Sequence, residues 1–299
     1  MPLFEARKNK VIQDASVLDA QSDPPGGIPL CREAYLTLMA SNISNIFSTG
    51  RARNLFIWGP PGTGKTASVQ YLLRETQQHS QNTNCSVATT YVNAGRTRSP
   101  YYTLLEILKQ LNVPVPDVGW QFFRLKQAFE NTLKERPALI AIDEVESILF
   151  KEKEPLIYYL NRQPKTTLIL ISNKLSQATQ LPERCLSTLQ PMTILFKPYS
   201  EAEAFQILKA RTQHAFKPNV ISDELLGAIA KSTEDMADIR LGMSILQTAG
   251  QSAEQGQRTT INKEDVQFGI ETAQRVKKLT TINELSKRVK KQSGKTIDF

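Results

Sequence analysis

The sequence predicts an α/β domain, in which helices cover both faces of a parallel β-sheet, followed by a smaller domain built only of helices. The first observation is that short apolar runs of strand length alternate with helix-like segments as far as Pro198. The second is that no convincing strand follows Pro198, where only helix-like stretches remain. Strands that alternate with helices are typical of parallel sheets, because each crossover helix packs on one face of the sheet.

The predicted elements of the α/β domain begin with a helix near residues 32–48, which follows a polar arm and a turn rich in proline and glycine. The apolar residues of this helix recur at nearly helical spacing. The five predicted strands are apolar runs at residues 55–58, 87–92, 138–142, 167–171 and 193–196. Between them, helices are predicted at residues 66–78, 102–111 and 120–134.

Four further helices are predicted after Pro198. They begin near Glu201, Asp223, Glu234 and Lys263. The sequence therefore predicts four segments: an arm and first helix (1–53), the α/β base domain (54–198), the helical domain (199–279) and a basic tail (280–299).

The composition excludes several classes of protein. Hydrophobic residues make up 40% of the chain and charged residues 22%, as in globular proteins. Three scattered cysteines and two isolated histidines disfavour a disulfide framework or a metal site built from these residues. The first residues carry charges where a secretory leader needs an apolar stretch, and no apolar run reaches the roughly 20 residues that span a bilayer. We therefore expect a cytoplasmic protein with no membrane partner.

Positive charge is concentrated at the end of the chain. Residues 275–299 contain eight Lys or Arg and two acids, a net +6 of the total +8. Such a segment can meet a polyanion, most plausibly nucleic acid, although a solvated basic end explains the same charges.

A glycine-rich segment between the first predicted strand and the next helix matches the phosphate-loop pattern G-x-x-x-x-G-K-[ST]. Its residues are Gly59, Pro60, Pro61, Gly62, Thr63, Gly64, Lys65 and Thr66. The glycines let backbone N–H groups surround phosphates at the N-terminus of the helix. We expect Lys65 to reach the β- and γ-phosphates of ATP and the Thr66 hydroxyl to bind Mg²⁺.

Two acids end the third predicted strand. An apolar strand followed by Asp143 and Glu144 is typical of a Walker B element. We expect Asp143 to hold the Mg²⁺ shell and Glu144 to polarise the attacking water. Asn173 ends the next strand, and the carboxyl ends of parallel strands converge on one crevice, so Asn173 is predicted to orient water near the γ-phosphate.

The order of these motifs resembles the AAA+ superfamily, and finer features resemble its initiator clade, the archaeal and eukaryotic origin-recognition and cell-division-control replication ATPases. The matching segments are NLFIWGPPGTGKT at 54–66, YVN at 91–93, RTRSPYYTLLEILKQLNVPVPDVGW at 96–120, LPERCLSTL at 181–189, ILFKPYS at 194–200, ILKAR at 207–211 and ADIRLGMSILQTAG at 237–250.

The resemblance implies additional nucleotide contacts. Arg240 matches the sensor 2 arginine that reaches the γ-phosphate from the helical lid domain, and residues 14–32 are similar to a stretch that packs on adenine. The resemblance implies Ser-Arg-Leu where this chain has Ser187, Thr188 and Leu189. The position of the trans-acting arginine finger is thus occupied by threonine, which leaves Arg184 as the nearest candidate.

The resemblance also implies DNA contacts. Residues 96–111 are similar to a helical insertion that touches duplex DNA, so Arg96 and Arg98 are candidate phosphate ligands. Family members commonly end in a winged-helix domain, for which residues 280–299 are too few. We therefore expect the basic residues of the tail to give nonspecific, salt-sensitive contact. These candidates are Lys287, Arg288, Lys290 and Lys291.

Together these features predict a Mg²⁺-dependent ATPase with slow turnover that assembles on duplex DNA or helps to load a replicative helicase. It would act in the cytoplasm at the nucleoid, or in the nucleus of a eukaryote, as a homo-oligomer or with another initiator subunit. Two alternatives remain: a clamp-loader-like or transposition-targeting ATPase, and a nucleotide switch that scaffolds another protein without a DNA role.

Overall fold

The chain folds into two compact units in the computed structural model, which describes residues 11–83, 85–117, 119–149, 156–174 and 183–293. One unit is Gly27–Lys197, and the other combines Met1–Gly26 with Pro198–Phe299. The arm before Gly27 thus groups by its contacts with the helices after Pro198, while the four segment boundaries given above remain predictions.

The unit Gly27–Lys197 contains a five-stranded sheet in which every pair is parallel, as predicted. The strands are β1 Leu55–Trp58, β2 Ala88–Asn93, β3 Ala138–Asp143, β4 Thr166–Ser172 and β5 Met192–Leu195, in the spatial order β2-β3-β4-β1-β5. Every residue of β3 and β4 is buried, whereas burial alternates along the edge strand β2. This difference follows from position, because helices cover both faces of a central strand.

Eight α-helices belong to this unit within the described residues. They are α1 Glu33–Ile43, α2 Ile46–Thr49, α3 Lys65–Asn82, α4 Ala94–Thr97, α5 Pro100–Gln110, α6 Phe122–Glu135, α7 Leu156–Asn161 and α8 Glu183–Leu189. Two apolar cores lie on the two faces of the sheet: α1 and α3 contribute to one, and α5, α6 and α7 to the other. The single helix predicted at residues 32–48 is instead two helices, α1 and α2, which are separated by residues 44 and 45. At this break the Phe47 N–H donates to Ser44 O.

Within the described residues the other unit contains four α-helices, namely α9 Glu201–Ala215, α10 Asp223–Met236, α11 Ile239–Gln255 and α12 Lys263–Ser293. The prediction that the third helix begins near Glu234 is wrong, since Glu234 lies in the last turn of α10. Ala237 ends α10 in the left-handed region with φ 54°, and Asp238 then caps α11 by accepting the N–H of Arg240.

The basic segment after residue 280 continues α12 as far as Ser293, so part of the predicted tail shares one helix with the end of the predicted helical domain. None of the helices in the described ranges is both long and apolar enough to traverse a bilayer.

The arm is bonded to the helices of its own unit. Glu254 Oε1 accepts the backbone N–H groups of Val11 and Ile12 at 2.8 and 2.9 Å. Arg211 donates to Val17 O and to the hydroxyl of Ser22, each at 2.6 Å. These side chains, drawn from α9 and α11, anchor the arm to the helical unit.

Candidate nucleotide-binding site

The phosphate loop runs from the carboxyl end of β1 to the start of α3. Gly62 and Gly64 have φ of 72° and 83°, a region where a side chain is strained. At Gly59 the limit is also steric, because a Cβ there would overlap the carbonyl oxygen of Phe196. The loop conformation therefore requires glycine at these positions, and it leaves the first N–H groups of α3 without intrahelical partners, as anion binding at a helix N-terminus needs.

Lys65 is the first residue of α3 and is only 6% exposed. Its Nζ donates to Gly59 O at 2.7 Å, to Pro60 O at 2.8 Å and to Asn173 Oδ1 at 3.1 Å. A buried ammonium at a helix N-terminus adds its charge to that of the helix dipole, so both favour an anion at the loop. The loop therefore fits a phosphate group on charge as well as on backbone geometry.

The end of β3 meets the start of α3 through the side chain of Asp143, which is 6% exposed. Asp143 Oδ2 accepts from Thr66 Oγ1 at 2.6 Å and from the Tyr91 hydroxyl at 2.8 Å, and Oδ1 accepts from the Glu144 N–H at 2.8 Å. A hydroxyl beside a carboxylate is the hard oxygen donor set that Mg²⁺ prefers. Thr66 and Asp143 therefore fit the predicted magnesium shell.

Glu144 leaves the end of β3 with φ 49°, in the left-handed region. Its Oε1 accepts from Asn93 Nδ2 at 3.4 Å, and a Cβ added to Gly95 would overlap its Oε2. Strain at a non-glycine residue persists only where the surroundings hold it. The carboxylate is thus directed to the end of β2, where Asn93 and Gly95 fit around it.

Sequence reasoning missed three residues that shape this site. Tyr91 and Asn93 are two residues apart on β2 and lie on the face of the sheet that also bears Asp143. The alternation of side chains along a strand could have predicted from YVN that these two residues share a face. Arg32, which is 2% exposed, donates to Thr63 O at 3.0 Å and to Lys197 O at 2.9 Å. It therefore links the phosphate loop to the segment after β5, and no local pattern signals that role.

Burial, and to a lesser extent the neighbouring Asp143 carboxylate, raises the pKa of Tyr91 well above that of a free tyrosine. A tyrosine hydroxyl is protonated near neutral pH, so it acts as the donor to Asp143.

Arg240 lies in the helical unit, at the start of α11. Its Nε and Nη2 donate to Asp238 Oδ1 and Oδ2 at 2.9 and 2.7 Å, a bidentate pair in which the Arg240 side chain stays 46% exposed. Arg240 also lines a cavity of about 470 Å³ within this unit. The other lining residues are Ala15, Ser16, Leu18, Asp19, Ala20, Ser244 and Gln247.

The candidate DNA ligands Arg96 and Arg98 are exposed on and just after the short helix α4. Asn93 caps this helix by accepting the Arg96 N–H at 3.1 Å, and Arg98 Nε donates to Gly95 O at 3.3 Å. The short helix therefore adjoins the residues that surround Glu144.

Other predicted residues are described only by their backbone. Arg184 lies on α8, and Lys287, Arg288, Lys290 and Lys291 lie on α12, but their side chains are outside the described part of the structure. Their predicted roles stay predictions.

Comparison with known proteins identifies the family. Residues 205–271 match the family model of the Cdc6 AAA+ ATPase-type lid domain, and residues 48–184 match that of an AAA domain. The ORC1-type DNA replication protein of Pyrococcus abyssi is 28% identical over 281 residues, which cover 88% of this chain and 66% of that protein. ORC1-type DNA replication protein 1 of Sulfurisphaera tokodaii is 30% identical over 232 residues, which cover 75% of this chain and 58% of that protein.

Among solved structures, the Aeropyrum pernix Orc1 protein in complex with DNA superposes with a TM-score of 0.76 at 25% identity, covering 89% of this chain and 70% of that one. The chain spans slightly less than two thirds of the length of the Pyrococcus abyssi relative and less still of the Sulfurisphaera tokodaii one. By its two matched domains, its relatives and its fold, this chain belongs to the initiator clade of the AAA+ ATPases, the origin-recognition and cell-division-control group.

Proposed function

We propose that this chain binds and slowly hydrolyses Mg²⁺-ATP and uses the nucleotide to control its assembly on duplex DNA during the initiation of replication. The observation that carries the proposal is the bonded set at the carboxyl ends of β1, β3 and β4, where Lys65 contacts Asn173 and Thr66 contacts Asp143. A phosphate-binding cation, a magnesium shell and a water-orienting amide are the parts that phosphoryl transfer requires.

Each of these residues has a distinct role in the proposed reaction. Lys65 exchanges its carbonyl partners for the β- and γ-phosphate oxygens, and Thr66 and Asp143 hold the magnesium shell. Magnesium, when bound, neutralises charge that develops on the β- and γ-phosphates. Glu144 accepts a proton from the attacking water while Asn173 orients that water, because both follow adjacent strands.

Arg240 would report the γ-phosphate to the helical unit. A guanidinium makes charge-assisted hydrogen bonds to phosphate, so a bound γ-phosphate would stabilise the conformation in which Arg240 reaches it. Asp238 competes for the same guanidinium. Hydrolysis would then return Arg240 to Asp238, which gives the switch a defined resting partner.

For DNA, the proposal rests on exposed positive charge and on the relatives. The similar Aeropyrum pernix Orc1 structure is a complex with DNA. In this chain Arg96 and Arg98 are exposed, and Tyr102 beside them is 53% exposed. Because these groups meet phosphates more readily than base edges, we propose duplex binding with little sequence preference.

The partners and location follow from the same proposal. A replication ATPase of this kind acts at the nucleoid, or in the nucleus of a eukaryote, alone as a homo-oligomer or with another initiator subunit, and it helps to load a replicative helicase. The second candidate function is a scaffold without a DNA role. The exposed Arg240–Asp238 pair favours it, because such a pair suits a nucleotide-controlled switch.

Duplex binding at increasing salt, with and without ATP, tests the proposal. We expect weak binding that depends on duplex length, and a slope of log affinity against log salt that falls by roughly 0.9 for each phosphate contact removed. The double variant Arg96→Ala/Arg98→Ala should flatten the slope, as should deletion of residues 287–299, and both should leave ATP affinity unchanged.

A matched control is Arg162→Ala, which removes an exposed arginine that donates to the Tyr158 hydroxyl. Absence of duplex binding at low salt would favour the scaffold, and tight binding to one sequence that survives both changes would place the DNA surface elsewhere.

A further inference from the structure

Tyr91 occupies the open edge of the sheet, one strand away from the predicted magnesium shell. In the β2–β3 register, Tyr91 lies opposite Ala141 and Asn93 lies opposite Asp143. Because side chains alternate between the two faces of a strand, Tyr91, Asn93 and Asp143 share one face. Tyr91 and Asp143 are therefore diagonal neighbours, a separation that the long tyrosine side chain can bridge.

The Tyr91 hydroxyl fixes the orientation of the Asp143 carboxylate. Thr66 and Tyr91 both donate to Oδ2, at 2.6 and 2.8 Å, and the Glu144 N–H donates to Oδ1 at 2.8 Å. Thr66 can bind a cation through a lone pair of its hydroxyl and still donate the O–H to Asp143. Tyr91 is not a predicted magnesium ligand, so its hydroxyl serves only to hold the carboxylate, and that bond can persist when magnesium binds.

The main chain of Tyr91 is itself fixed from outside the sheet. On the open side of β2, the Gln110 side chain accepts the Tyr91 N–H and donates to the Tyr91 carbonyl, both at 2.9 Å. These two bonds replace the neighbouring strand that an edge strand lacks. Gln110 is the last residue of α5, so the position of Tyr91 is set jointly by β3 and by the end of that helix.

We propose that Tyr91 is a positioning residue for the magnesium of bound ATP, acting through Asp143 and held in place by Gln110. The inference rests on the proposed Mg²⁺-ATP function and adds a residue to it. Outer-shell partners of metal ligands orient those ligands, and their loss typically costs about 10- to 100-fold in metal affinity or activity. Mg²⁺ is more sensitive to such a loss than Ca²⁺, because it demands nearly ideal octahedral geometry.

The test is the magnesium dependence of nucleotide binding in Tyr91→Phe, which deletes one hydroxyl and keeps the ring. Binding of a fluorescent, slowly hydrolysed ATP analogue is followed by anisotropy while Mg²⁺ is titrated, and again in EDTA. We expect the half-saturating Mg²⁺ concentration to rise about tenfold, the lower end of the outer-shell range, with affinity in EDTA unchanged. Mn²⁺, whose coordination is less demanding, should show a smaller rise.

Tyr159→Phe is the matched control, since it also deletes a buried hydroxyl in the same unit. Tyr159 donates to Lys126 O at 3.0 Å and to Glu130 Oε1 at 3.1 Å, both on α6. We expect its Mg²⁺ titration to match that of the parent. If Tyr91→Phe does not melt cooperatively, Gln110→Ala carries the test, with a rise in half-saturating Mg²⁺ in the same direction.

Two results would overturn the inference while the parent binds the analogue in a Mg²⁺-dependent manner. One is a parental Mg²⁺ titration in Tyr91→Phe. The other is an equal loss of affinity with Mg²⁺ and in EDTA, which would assign Tyr91 a general structural role. A parent that binds no nucleotide, with or without Mg²⁺, would instead overturn the proposed function, so the two failures are distinguishable.

Discussion

The candidate functional residues of the two units are held in different ways. In the unit Gly27–Lys197, residues far apart in sequence bond one another: Lys65 contacts Asn173, and Thr66 contacts Asp143. In the helical unit, Arg240 pairs with Asp238, two residues away on the same helix start. The first arrangement is fixed by the fold of a whole sheet, whereas the second depends on one exposed ion pair. We infer that the α/β unit supplies a preorganised site and the helical unit supplies a group that can change partners.

Lys65→Ala should have the largest effect on nucleotide binding if the α/β site is preorganised around a phosphate-binding cation. We expect ATP affinity to fall by at least about 100-fold, because charge-assisted hydrogen bonds contribute up to about 3 kcal/mol each and 1.4 kcal/mol is tenfold. Lys165→Ala is the control: this lysine precedes β4 at the opposite end of the strand and donates to Lys134 O. Calorimetric titration with ATP measures both, and equal affinities would remove Lys65 from the site.

Glu144→Gln should separate binding from chemistry within the same site. We expect ATP affinity to persist and the steady-state hydrolysis rate to fall by about 10²- to 10⁴-fold, since an amide cannot act as the general base. Glu75→Gln, an exposed position on α3, is the matched control and should hydrolyse ATP at the parental rate. A parental rate in Glu144→Gln would show that another group activates the water.

Gly95→Ala probes how closely the segment after β2 fits around the Glu144 carboxylate. The new methyl group would overlap Glu144 Oε2, so the side chain must turn away from Asn93. We expect kcat for ATP hydrolysis to drop about tenfold, less than complete loss of a general base, with ATP affinity unchanged.

The control for this change is Gly227→Ala, where nothing lies within 4 Å of the added Cβ on α10. That variant should hydrolyse ATP normally and gain stability, since alanine is favoured over glycine by about 1 kcal/mol within a helix. Normal turnover in Gly95→Ala would mean that the orientation of Glu144 towards Asn93 is irrelevant to hydrolysis.

Arg240→Ala should have the smallest effect, because the proposed contact is made to the γ-phosphate alone. We expect ADP affinity to be retained and the ratio of ATP to ADP affinity to fall several-fold. A lost hydrogen bond to a charged group costs about 1.5–3 kcal/mol, and solvent screening at this exposed residue reduces that cost. Asp238→Asn keeps an N-cap acceptor but removes the competing charge, so it should raise the same ratio. If neither variant alters the ratio, the Arg240–Asp238 pair belongs to the structure of α11 and not to a switch.

The sequence predicted those parts of the site that are contiguous or that end a strand. The phosphate loop is recognisable because eight consecutive residues carry its chemistry, and Asp143 and Asn173 because apolar strands point to them. The helix start near Glu234 was wrong because Ala237, a good helix former, adopts a left-handed conformation that composition does not signal. Tyr91 and Asn93 were missed as site residues because their roles depend on the β2–β3 register, which pairs residues about 50 positions apart.

The bonding of the arm has a consequence for the order in which the chain folds. Arg211 contacts Val17 across 194 residues, and Glu254 contacts Val11 across 243. Closing a flexible loop of that length costs about 5 kcal/mol in chain entropy by the logarithmic loop law. Formation of the sheet unit, which occupies most of the intervening chain, shortens the effective loop to be closed. We therefore expect the α/β unit to fold first, and the arm to join its helices as a late, slow step.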